Sequence, residues 1–111
     1  MNGLKRLAFS LAVVALAGLS LSAQEKKAAD PKEGEKLFEQ CSVCHAADSD
    51  EKKMGPGLKG LFKKEKMANG KKPTEENVKA VINAGGNGMP PYEEMLTADE
   101  KEHVLAYLKT L

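Results

Sequence analysis

The chain has 111 residues, enough for one domain, and its 17 basic and 16 acidic side chains nearly cancel to a formal charge of +1. That balance excludes the strongly basic character of a nucleic-acid binder. Two cysteines cannot build a disulfide framework.

The first stretch has the layout of a secretory signal peptide. Lys5 and Arg6 give a positive start, Leu7 to Leu21 is apolar, and Ser22-Ala23 supplies small residues before the polar Gln24-Glu25-Lys26-Lys27. The apolar run is short and interrupted by Ser and Gly, so a retained anchor is the weaker alternative. The expected organisation is a signal peptide over 1–23, a flexible tether over 24–29 and one domain over 30–111. A cut after Ala23 leaves 88 residues with 15 lysines, no arginine and 16 acids. A domain of that size buries a modest core and commonly needs a staple or a bound group.

Asp30-Pro31 opens the first predicted helix, with Asp at the N-cap, Pro at the first helical position and Glu33 placed to close a capping box. Leu37, Phe38 and Cys41 share one face, so the helix is expected to run directly into Cys41-Ser42-Val43-Cys44-His45. Cys-x-x-Cys-His is the attachment signature of c-type haem. Thiols at i and i+3 reach one edge of the macrocycle, and His45, one turn beyond Cys41, is placed to ligate the iron. A zinc site would need further ligands that the chain lacks. A thioredoxin-like pair would need a βαβ context, and strand signals are almost absent. A plain disulfide would leave His45 without a role. Export is consistent with this reading, because haem is attached to reduced thiols outside the cytoplasm.

Gly55-Pro56-Gly57-Leu58 reads as a rigid turn. A ligating histidine donates its second ring N–H to an acceptor, and the Pro56 carbonyl is the candidate, against an ordinary surface turn. Leu58, Leu61 and Phe62 predict a short helical turn. Residues 63–72 form a charged loop, and the lysines from Lys52 to Lys72 read either as a solvated face or as a patch that steers an acidic partner. Thr74 caps the next predicted helix, whose stripe is Val78, Val81 and Ile82 and which Gly85 ends.

Gly85-Gly86-Asn87-Gly88-Met89-Pro90-Pro91-Tyr92 is a constrained loop, and Met89 in it is the candidate second axial ligand. Met95 is its rival, with core packing as the alternative role. Met54 follows His45 too closely, and Met67 sits in the charged loop. Thr97 to Glu100 forms a capping box for the last helix, with Val104, Leu105, Leu108 and Leu111 as its stripe. His103 is expected on the polar, solvent-facing side rather than on an iron.

Over Asp30 to Leu111 the sequence resembles a class I, single-haem cytochrome c. The resemblance rests on Gly34 and Phe38, on Cys41 to His45, on Gly55-Pro56-Gly57-Leu58 with Gly60-Leu61-Phe62, on Asn87-Gly88-Met89-Pro90, and on Leu105 to Lys109. It implies an all-α fold of about four short helices around one covalent haem c, with the first and last helices crossing so that Gly34 and Phe38 meet Val104 and Tyr107. It implies a monomeric, periplasmic electron carrier that is not an enzyme and that docks redox partner proteins, with no membrane span after cleavage. The missing tryptophan and the short stretch before Met89 suggest a compact bacterial form. They leave Lys59, Lys71, Asn87 and Tyr92 as candidates for holding the propionates. The alternatives are a subunit of a larger oxidoreductase, or a gas- or peroxide-binding haem with an open sixth position.

Overall fold

The computed structural model describes residues 28–111. The signal peptide assigned to 1–23 and most of the tether lie outside the described residues.

Asp30 is extended and its carboxylate accepts from Lys32 N at 2.9 Å, with Pro31 at the first helical position, so α1 (Pro31–Phe38) begins where local chemistry says it must. Glu33 does not close the box. It pairs instead with Lys36 at 3.2 Å, and the backbone N–H of Asp30 donates to His103 Nδ1 at 2.8 Å. His103 is therefore half-buried and tied to the start of α1, not free on the solvent side as its helical position suggested.

Two α-helices follow. In α2 (Glu75–Ala84), Thr74 accepts from Asn77 N, and Val78 and Ile82 are buried while Val81 stays half-exposed. In α3 (Ala98–Leu108), Thr97 and Glu100 form a complete capping box at 3.1 and 2.9 Å. The fourth helical element is only a 3₁₀ turn, Leu61–Lys63, entered through Gly60 at φ 65. Three residues between a left-handed glycine and a run of lysines are too few for an α-helix. Among the described residues there is no strand, only an isolated antiparallel bridge between Gly86 and Met89. The all-α expectation therefore holds. No helix among these residues is long and apolar enough to cross a membrane.

The core joins Phe38 of α1, Leu61, Val78 and Ile82 of α2, Tyr92, Leu96, and Val104, Leu105 and Leu108 of α3. The crossing of α1 and α3 depends on the missing side chain of Gly34. A Cβ there would stand 2.6 Å from His103 C and 2.7 Å from Tyr107 Cβ, and closer still to His103 O. With no Cβ in the way, the Phe38 and Tyr107 rings meet at 5.3 Å between centroids, tilted by 54°. Ion pairs Lys79–Glu102 and Lys109–Glu75 join α2 to α3 at the surface, where such pairs contribute little.

Candidate haem-binding site

The regular part of α1 stops at Phe38, but the chain keeps turning. Cys41 N and Ser42 N both donate to Phe38 O, at 2.7 and 3.0 Å, and His45 N donates to Cys41 O at 2.9 Å. Cys41, Cys44 and His45 thus share one helical turn even though the helix itself does not reach them. The motif is delivered by this run of turns, anchored through Phe38 in the core, and the turns place i, i+3 and i+4 on one side.

Both thiols are half-buried and neither is bonded to the other. Burial, and secondarily the neighbouring Cys44, push the Cys41 thiol above its ordinary value. Val43 between them is 70% exposed, so the edge of the motif faces outward.

The imidazole of His45 is held from two sides. Nδ1 lies 2.8 Å from Pro56 O. A carbonyl can only accept, so Nδ1 is the donor in this contact; in the neutral imidazole that arrangement leaves the Nε2 lone pair for a metal. Gly55 lies against the ring: a Cβ there would be 2.5 Å from Cε1, 2.8 Å from Nδ1 and 3.0 Å from Nε2. The turn that carries both groups is fastened to the motif, because Gly55 N donates to Cys44 O and Leu58 N to Ala46 O, each at 2.8 Å.

The methionines separate by burial. Met54 is 81% exposed and Met95 61% exposed, so Met95 neither packs under α3 nor faces the interior. Met89 is half-buried against the core. Met67 is too, which the sequence did not reveal. A turn closed by Met67 N to Lys71 O at 2.8 Å and Gly70 N to Met67 O at 2.9 Å holds it there. The sequence signal for that turn is the Asn69-Gly70 pair.

Of the four propionate candidates, Lys59, Lys71 and Asn87 are exposed and Tyr92 is buried. Burial, then the Cys41 and Cys44 thiols, hold the Tyr92 hydroxyl above its ordinary range, so it lies near the cysteines. Among the described residues no group of three or more His, Cys, Asp or Glu side chains could hold a metal ion by itself.

These residues fit a covalently attached haem. The donor set is two thiols and an imidazole with a free Nε2 on one turn. Around the core stands a rim of half-covered apolar side chains, Cys41, Leu58, Phe62, Met67 and Met89 among them, whose remaining surface an apolar macrocycle would cover.

A family model described as cytochrome c oxidase, cbb3-type, subunit III, matches residues 29–108. The chain is also 44% identical over 57 residues to cytochrome c2 of Rhodopseudomonas palustris (strain ATCC BAA-98 / CGA009), a stretch covering 51% of this chain and 39% of that relative. The chain therefore matches well under half of the relative's length. With the family model covering most of the chain and the attachment turn in place, this protein belongs to that cytochrome c family, a small c-type cytochrome whose cofactor is covalently bound haem c.

Proposed function

We propose that this cytochrome is an exported, periplasmic electron carrier and not an enzyme, with haem attached through Cys41 and Cys44 and its iron held between His45 and Met89. When bound, the haem supplies a one-electron couple between ferrous and ferric iron. The protein's part is to fix ligands and exclude water. Pro56 O and the flat face of Gly55 orient His45, which keeps its Nε2 available. Met89 rides on a short loop and packs on the core. A His/Met pair and an apolar surround both favour the reduced state and raise the potential.

The observation that carries this reading is the pair of restraints on the two candidate axial side chains: His45 bonded at 2.8 Å to Pro56 O, and Met89 half-buried within a closed turn. Fixed ligands on both sides leave no position for a substrate and little to rearrange when an electron arrives. A redox titration with visible spectra on haem-matured protein tests it. The ferric form should show the sulfur-to-iron charge-transfer band, and Met89→Ala should lose it while Met67→Ala keeps it. The reverse pattern would transfer the role to Met67. A five-coordinate wild-type spectrum or rapid carbon monoxide binding would favour an open site.

Charge points to the partner. Residues 52–72 carry eight lysines and one glutamate, and all eight lysines are exposed. The rest of the described chain carries 14 acids and five lysines. Lys53 Nζ reaches back to Ser42 O at 3.0 Å, so the basic segment borders the attachment turn. Such a lobe steers an acidic redox protein during brief docking, and the exchange rate should fall as salt rises. A flat salt response would remove this part of the proposal.

The description of the matching family supports a second reading, in which the same chemistry is done as a docked subunit of a larger oxidoreductase. Copurification of a stoichiometric partner with the tagged native protein would favour it over a free monomeric shuttle.

A further inference from the structure

Residues 86–89 form a mirror-image turn. Gly86 N donates to Met89 O at 2.9 Å, and Met89 N returns the bond to Gly86 O at 3.0 Å. The two residues between them both have positive φ, 53 at Asn87 and 90 at Gly88. A reciprocal pair of bonds closed over two left-handed residues is a type I′ hairpin turn, and Asn-Gly is the pair best suited to it. Asn87 is the single non-glycine residue in that region among the described residues. Its side chain is exposed, and among the described residues no side-chain hydrogen bond of Asn87 accounts for the strain.

The turn is fastened at both ends. Gly85 ends α2 at φ 62, its N–H donating to Val81 O at 2.8 Å. A Cβ on Gly85 would stand 2.7 Å from Pro90 C and 2.8 Å from Pro90 O, and closer still to Met89 O, so the two arms of the turn run in backbone contact. Beyond the prolines, Tyr92 N donates to Ile82 O at 2.9 Å and Glu93 N to Asn83 O at 3.3 Å, returning the chain to the last turn of α2. Met89 is thus the last corner of a backbone ring that closes on α2 whatever its side chain touches.

We propose that Asn87 is a positioning residue for Met89: by holding a left-handed φ in the 86–89 turn it fixes where the methionine sulfur stands. This rests on Met89 being the axial ligand and names what holds it. A side chain that resists positive φ should push the turn toward another form and carry Met89 with it. Helix α2 and the buried Val78, Ile82 and Tyr92 would stay in place. Displacement of the sulfur by an external ligand requires the turn to open, so the apparent affinity for that ligand reports the open fraction.

The test uses haem-matured wild type, Asn87→Val, Asn87→Ala, Asn87→Gly and Met89→Ala, titrated with imidazole in the ferric state, with the charge-transfer band and far-UV circular dichroism read in parallel. Valine strains positive φ most, alanine less, and glycine not at all. Asn87→Val should bind imidazole about tenfold more tightly than wild type, and Asn87→Ala by a smaller factor in the same direction. Asn87→Gly should stay near wild type, with helix content unchanged throughout. Should valine maturation fail, the alanine variant carries the same sign. Wild-type affinity in both Asn87→Val and Asn87→Ala, with Met89→Ala binding tightly, overturns the positioning role alone. An Asn87→Gly variant as weakened as valine also overturns it, because the side chain and not the backbone angle would then be at work. If Met89→Ala changes neither band nor affinity, the ligand assignment fails first and the positioning role with it.

Discussion

Gly34→Ala should destabilise this cytochrome, although alanine is the better helix former. At an exposed helical position the exchange would add about 1 kcal/mol of stability. At Gly34 the new methyl would lie 2.6 Å from His103 C and 2.7 Å from Tyr107 Cβ. Ordinary carbon contacts begin near 3.5 Å, so α1 and α3 must part by roughly 1 Å. The obstacles are the α3 backbone and a Cβ, and neither can rotate aside. Parting the helices loosens the Phe38–Tyr107 ring pair, a contact worth about 0.5–1.5 kcal/mol, and it stretches the Asp30 N to His103 Nδ1 bond. Overpacking of this kind costs about 1–3 kcal/mol, and the further loss of the ring pair should carry the total past the gain in helix propensity. A net loss of about 2 kcal/mol corresponds to a melting point roughly 8–16 °C lower. Urea unfolding of haem-matured protein, followed by far-UV circular dichroism, measures it. A midpoint equal to or above that of wild type would refute the close crossing.

Three further outcomes follow from the same geometry. Gly55→Ala should drive the imidazole of His45 off its seat, weakening the charge-transfer band and lowering the potential while helix content stays constant; an unchanged potential would mean that Gly55 does not back the ring. His103→Ala removes the acceptor for Asp30 N and should cost about 1 kcal/mol, with faster amide exchange at Asp30 as the local signature. Burial, then Glu35 and Asp48, raise the Tyr107 hydroxyl above its ordinary 10.0. A folded value above the unfolded one gives stability that is complete below about pH 10 and is lost as pH climbs through the raised value. Tyr107→Phe keeps the tilted ring pair and should therefore lose less stability than wild type between pH 8 and 11; equal losses would count against the raised hydroxyl.

Much of the chain was legible because the responsible interactions are local. Asp30, Thr74 and Thr97 cap their helices within three residues, and side-chain oxygens that close find backbone donors wherever the rest of the chain goes. Cys41 to His45 is legible for the same reason, since one turn of backbone sets its spacing. The apolar stripes of α2 and α3 told which faces turn inward, though Val81 shows that periodicity does not say how deep each position goes.

What sequence spacing could not carry was decided by distance. His103 lies 73 residues from Asp30, and its role is to take a backbone N–H that Glu33 would otherwise have satisfied. Met67 and Met95 are both loop methionines without periodicity. Only the turn at 67–71 puts one against the core, while the other stays exposed. By itself the sequence determined the helix starts and the attachment turn, because each follows from bonds closed within four residues, and it shortlisted the axial methionine from the composition of its loop. Only the tertiary structure decided how closely α1 and α3 cross at Gly34, which methionines are enclosed and that Gly55 lies against the His45 ring, because those depend on groups that meet after the chain has packed.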